Sequence, residues 1–330
     1  MGKAGSKYFW LLIPVALVAL ALAGPRPRAE APARLPSVPQ DPPSLDAWLR
    51  HSEAQVPRLR PGTEKLIVWA NPENPRRTSY SLIYLPGFAA TRKEISPVPE
   101  RVAKALGINL FLTRFTGCGQ GADDLKDVPP SAWFLDAGEA LQVGRVLGDK
   151  VIVMGTSTGG SFAAWLAAGP AGTEVAGLVL LSPNFAPADR RAGMVLWPWG
   201  KQIAHLVLGQ YRLVRPENAD HERYWTLTQP YSSVVTMMSS VNLIDREGFS
   251  KLTAPVLVFL SDGDRTVDER VTRRVFASLP AAVKTLVPVA PPPDRNQHVI
   301  TGDILNPETV DSVAGRIIDF LRRSLPWPAL

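Results

Sequence analysis

From about residue 63 onward the sequence alternates short, uninterrupted apolar runs with stretches of helical periodicity, and few folds tolerate that alternation. The runs fall at residues 65–70, 80–85, 108–112, 151–154, 177–181, 255–260 and 285–289. Between them apolar positions recur at helical spacing, as with Val98, Val102 and Leu106. Further helices are predicted over residues 132–147, 161–168, 269–278 and 310–325. A strand with no polar face must be buried on both sides, and helices between successive strands supply the cover. The predicted class is therefore α/β, a mostly parallel central sheet flanked by helices. With 330 residues, 45% of them hydrophobic, the chain can bury a full core, and a disordered or collagen-like chain is excluded.

One segment breaks the rhythm. Between the runs ending at 181 and starting at 255 no strand is signalled, while Met194, Trp197, Trp199, Tyr224, Trp225, Met237 and Met238 accumulate. A mostly helical insertion there, about residues 185–252, is a natural cap over the C-terminal edge of the sheet, where ligands of such folds bind. Its aromatic residues would form an apolar pocket wall; an ordinary packing subdomain is the plainer alternative. The main domain is placed at residues 63–330.

The chemistry centres on Gly155-Thr156-Ser157-Thr158-Gly159, a G-x-S-x-G pentapeptide lying between a buried strand and a helix. A serine lifted off a sheet edge on so sharp a turn needs glycine two residues away on either side, here Gly155 and Gly159. The helix that follows favours negative charge at its start. A serine hydroxyl becomes a useful nucleophile only when a base removes its proton and an acid orients that base. In this architecture the chain order is Ser, then Asp or Glu, then His. His298 is the only histidine beyond the last strands, since His51 lies before the domain and His205 and His221 fall within the cap. The loop after residues 255–260 offers Asp262 and Asp264, of which Asp264 has the longer reach toward the next loop. An oxyanion needs two amide donors, and Thr158 and Phe88 are the candidates.

These residues resemble the α/β-hydrolase superfamily, most closely its esterase and lipase-like members. The resemblance runs from Leu82-Ile83-Tyr84-Leu85-Pro86-Gly87-Phe88, through Phe111-Leu112-Thr113-Arg114-Phe115-Thr116-Gly117-Cys118-Gly119, to the pentapeptide, Asp264 and His298. It implies that Ser157, Asp264 and His298 form a catalytic triad acting on a small-molecule carboxylic ester through an acyl-enzyme, with no cofactor; the aromatic and methionine residues of the cap point to an apolar ester. The family's acid usually stands three residues past a small residue ending its strand, which falls on Asp264 after Ser261. Two departures are visible: Pro86-Gly87 stands where the family often has His-Gly, and Gly117-Cys118-Gly119 where it often has Gly-His-Gly. Acyltransferases share the triad, and a non-catalytic, membrane-tethered binding module is the alternative from another class. An aspartate-nucleophile hydrolase is excluded by Ser157, and phosphate-loop chemistry by the lack of G-x-x-x-x-G-K-[ST].

The remaining composition narrows partners and place. One cysteine and four histidines support no metal centre, and a net charge of +6 without a basic stripe argues against a nucleic-acid surface. Lys3 and Lys7 precede the apolar residues 8–23, which end in Ala21-Leu22-Ala23, small residues at the spacing signal peptidase reads. At ~1.5 Å per residue that stretch spans ~24 Å, short of a hydrocarbon core of ~30 Å. Residues 1–23 are thus expected to be a cleaved signal peptide or, failing that, an N-terminal membrane anchor. Export follows either way, to the periplasm or the extracellular space if cleaved. Residues 24–62 carry nine prolines and read as an extended tether, interrupted by one short helix capped by Ser44.

Overall fold

The computed structural model describes residue 14, residues 16–20 and residues 22–327. Most of the expected export or anchor segment lies outside the described residues. Among those described, no helix is long and apolar enough to cross a membrane.

The apolar runs are strands, in chain order β1 (Leu66–Val68), β2 (Thr78–Leu85), β3 (Asn109–Leu112), β4 (Gly148–Thr156) and β5 (Val175–Leu181). After the insertion, which carries β6 (Tyr211–Leu213) and β7 (Thr228–Pro230), come β8 (Val256–Ser261) and β9 (Lys284–Val289). Seven of them form one sheet in the order β1-β3-β2-β4-β5-β8-β9, parallel throughout except where β1 meets β3. The core of β4 shows why these runs lack a polar face. Val151 and Val153 point into one apolar cluster while Ile152 and Met154 point into the other. The first cluster is closed by helices α1 (Pro42–Ala54), α3 (Pro130–Leu147) and α4 (Thr158–Ala168), and the second by α2 (Val98–Leu106) and the C-terminal helix Val310–Ser324.

Residues 24–62 do not stand away from the domain as a tether. Val38, Leu45 and Leu49 are buried in the first cluster, and Ala29, Ala31 and Leu35 pack against it. Glu53, near the end of α1, makes a two-pronged pair with Arg114, accepting from Nε at 2.9 Å and Nη2 at 2.8 Å, with both side chains 6% exposed. Glu53 also accepts from the Lys65 amide at 2.9 Å. Proline content forbids regular structure but not docking, and a handful of apolar side chains plus one buried ion pair suffice to hold the strap down. The cap of α1 is Asp41, not Ser44: its carboxylate accepts from the Ser44 amide at 3.0 Å, and Pro42 occupies the first turn where no amide is needed.

The insertion between β5 and β8 includes helices α5 (Gly200–Leu208) and α6 (Tyr231–Glu247), together with the antiparallel β6–β7 pair that no alternation in the sequence had signalled. Its aromatic and methionine residues divide in two. Trp225 and Met238 are buried packing residues, whereas Met194 and Trp197 face outward at 48% and 61% exposure. They do not line a common pocket wall, because helical spacing shows that a face is apolar without showing what it faces.

Candidate active site

The turn from β4 into α4 carries the pentapeptide. Ser157 has φ 51° and ψ −120°, a conformation costing a non-glycine residue about 1–3 kcal/mol. Backbone hydrogen bonds hold it there: the Ser157 amide donates to the Leu181 carbonyl, and its own carbonyl accepts from the Asn184 and Gly160 amides, each at 2.9 Å. The flanking glycines are required by close approach. A side chain on Gly159 would meet the Leu85 carbonyl at 2.1 Å, and one on Gly155 would meet the Gly159 carbonyl at 2.4 Å. The start of α4 is therefore pressed against the end of β2, which brings the loop of Pro86, Gly87 and Phe88 beside Ser157. Among the described residues the Phe88 and Thr158 amides donate to no other backbone group.

The other half of the site is a buried pair. His298 Nδ1 donates to Asp264 Oδ2 at 2.7 Å, with side-chain exposures of 10% and 1%. A carboxylate can only accept, so the proton sits on Nδ1 and neutral His298 keeps Nε2 as a base. The second oxygen of Asp264 accepts from the Thr266 and Val267 amides at 2.8 and 3.0 Å, which fixes the carboxylate. Asp262 is exposed and paired with Arg273, which settles the choice between the two aspartates as the partner of His298. The segment after β5 joins the two halves: Leu181 and Asn184 bond Ser157, while Ser182 Oγ donates to the His298 carbonyl at 3.0 Å. No hydrogen bond joins Ser157 Oγ to His298 in this conformation, and apo sites of this kind are often looser than their complexes.

Two further acids, singled out by no motif, support the site. Asp294 accepts from the His298 amide at 3.0 Å and from the Asn296 amide at 3.1 Å, closing the loop that presents the histidine. Glu94, fully enclosed, accepts from the Gly87 amide at 2.8 Å and the Tyr84 hydroxyl at 2.7 Å. A Cβ on Gly87 would lie 2.7 Å from Glu94 Oε1 and 3.2 Å from Ser157 Cβ, so both side chains border one spot that only glycine leaves open. Burial pushes the Glu94 carboxyl above the usual carboxylate range, against the Gly87 amide, Tyr84 and His298, which favour its charged form. Burial pushes the His298 value down, but the negative charges of Asp264, Glu94 and Asp294 outweigh it and the net shift is upward. Only a three-dimensional loop contact marks Glu94 and Asp294. Cys118 is buried and its thiol is pushed up to about 12, chiefly by burial, so it is no nucleophile. Met237 reaches the site through Asn184, whose Nδ2 lies 3.3 Å from both the Met237 sulfur and the Thr158 hydroxyl.

A mostly parallel sheet with an antiparallel edge strand, a strained serine on a strand–helix turn and an acid–histidine pair at the same edge are the features of the α/β-hydrolase fold, and the chain has that fold. The family model described as "Serine aminopeptidase, S33" matches residues 131–290, a span that takes in the pentapeptide, the insertion and Asp264. Among solved structures, a structure reported for the metagenome-derived lipolytic enzymes LipS and LipT is similar with a TM-score of 0.64 at 16% identity, covering 80% of this chain and 99% of that one. The monoacylglycerol lipase of Paleococcus ferrophilus gives 0.58 at 14% identity, covering 79% and 98%. A monoglyceride lipase variant from Saccharomyces cerevisiae gives 0.58 at 14%, covering 80% and 92%. At these identities the likeness is one of fold. No curated protein matches the sequence.

Proposed function

We propose that the protein is a serine hydrolase that cleaves carboxylic esters through an acyl-enzyme on Ser157. The observation that carries the reading is the buried His298–Asp264 pair at the sheet edge that also bears the strained serine. In the proposed sequence, His298 Nε2 takes the Ser157 proton as Oγ attacks the ester carbonyl. Asp264 stabilises the resulting imidazolium, and the Phe88 and Thr158 amides receive the oxyanion. His298 then gives its proton to the departing alcohol. Water enters by the reverse route: His298 takes a proton from it as its oxygen attacks the acyl carbonyl, then returns that proton to Ser157 Oγ as the bond to the acyl carbon breaks and the acid leaves. Glu94 acts one step away, holding the Gly87–Phe88 turn through the Gly87 amide.

The acyl group is proposed to be apolar, with Met237 and the half-buried Phe88 beside the nucleophile as the supporting side chains. The lipolytic enzymes and the monoacylglycerol lipase of similar fold point the same way. Residues 1–23 are proposed to direct export, either cleaved or retained as an anchor, and the mass of the mature N-terminus distinguishes the two. The test of the central reading is a fluorophosphonate label on the wild type and on Ser157→Ala. Label on the wild type alone is the expected result. A folded wild type that takes no label would favour the non-catalytic binding module instead, and acyl transfer to an added alcohol in preference to water would make it an acyltransferase.

A further inference from the structure

The surface of the insertion is inverted relative to an ordinary amphipathic helix. Helix α5 packs inward through the small residues Gly200 and Ala204 and turns Ile203, Leu206, Val207 and Leu208 outward, with Leu206 85% exposed. Trp197 and Leu213, on the segments either side, are exposed as well. Soluble surfaces rarely gather so many large apolar side chains in one place, and such patches mark contact sites.

Two independent features say what covers this one. The first is charge. Residues 190–215 contain Arg190, Arg191, Lys201, Arg212 and Arg215 and no acidic residue. Asp189 pairs with Arg191 and Asp127 with Lys201, while Arg190, Arg212 and Arg215 have no carboxylate partner among the described residues. Exposed apolar residues on a segment that also carries exposed, unpaired arginines fit an anionic lipid surface. The second is the chain's own path. The Trp199 indole donates to the Leu20 carbonyl at 3.1 Å, and the Trp199 amide to the Pro25 carbonyl at 3.1 Å. Leu17, Val18, Leu20 and Leu22, the described part of the apolar stretch 8–23, are themselves more than half exposed beside it.

We propose that the outer face of the insertion, around Trp197, Leu206, Val207 and Leu213, rests in the interface of a membrane bearing anionic lipid, together with the exposed Leu17, Val18, Leu20 and Leu22. The proposal does not depend on the catalytic reading. It is tested with the full-length protein and vesicles of equimolar phosphatidylcholine and phosphatidylglycerol carrying brominated acyl chains. Trp197 emission is isolated as the difference between the wild type and Trp197→Phe. Quenching of that emission is expected, and the double variant Leu206→Asp/Val207→Asp should weaken it about tenfold or more, since each aspartate opposes entry into hydrocarbon. The urea unfolding midpoint of the double variant, without vesicles, should match the wild type and so report folding. Vesicle-bound protein with unquenched Trp197 would overturn the proposal and leave residues 8–23 as the sole attachment. Equal quenching on phosphatidylcholine alone would overturn the anionic surface. A dimer by sedimentation with Trp197 already shielded in buffer would assign the face to a second copy instead.

Discussion

The C-terminal edge of the sheet and the outer face of the insertion solve opposite problems. At the sheet edge polar and charged groups are turned inward, and the three acids are tied: Asp264 by two amides and a histidine, Asp294 by the His298 loop, Glu94 by an amide and a phenol. On the insertion, large apolar groups are turned outward and held by nothing. Burying charge costs several kcal/mol per ion unless it is bonded, so the edge permits few rearrangements. Exposing apolar side chains costs far less, and it leaves them available to another surface. The proposed reaction is assigned to the first kind of region and the proposed membrane contact to the second.

The comparison is broken most severely by changes at the sheet edge. Ser157→Ala and His298→Ala are each expected to lower ester turnover by about 10⁶-fold, as in other triads acting as one unit, and the double variant should lose little more. Initial rates on a p-nitrophenyl ester measure both. Asp264→Asn should cost about 10⁴-fold because it disturbs the histidine's tautomer, whereas Asp262→Asn, exposed and paired only with Arg273, should leave the rate unchanged. Crippling by the second and not the first would reverse the choice of acid.

Charge buried further from the reaction should act on stability instead. Glu53→Ala leaves Arg114 enclosed without its partner and is expected to destabilise the fold by about 3–5 kcal/mol, read from urea unfolding. Glu30→Ala, on an exposed residue of the same strap, should not move the transition. A small effect from Glu53→Ala would mean that the apolar contacts of Val38, Leu45 and Leu49 hold the strap without the ion pair.

Subtler changes concern protonation. The base form of His298 is the neutral one, and its value is raised above the ordinary 6.5. kcat/KM should therefore fall as pH drops through an inflection above that value. Glu94→Gln keeps an acceptor for the Gly87 amide but removes a negative charge, so the inflection should move to lower pH. An unmoved inflection with a uniformly lower rate would limit Glu94 to shaping the turn. Last, the outward-facing substitution Leu206→Asp should change neither the rate on a soluble ester nor the unfolding midpoint by a measurable amount. A large loss would tie that face to the reaction.

Strand order along the chain, the helices between strands, the serine turn and the Ser–Asp–His sequence of candidates were all legible in the residues. Each depends on local pattern: an apolar run with no polar face, glycines two residues either side of a serine, a histidine after the last strand. The insertion's position was legible for the same reason, as a gap in that pattern. Three things required the tertiary structure. Residues 24–62 dock because Leu45, Leu49 and Glu53 find partners sixty or more residues away in Arg114 and the α3 face, and proline content carries no information about partners. Glu94 and Asp294 reach the site through loop contacts with Gly87 and His298, on residues that no motif marks. The insertion's aromatic and aliphatic residues divide between core and exterior because periodicity records that a helix has an apolar face, while only packing decides whether that face meets protein or lies open.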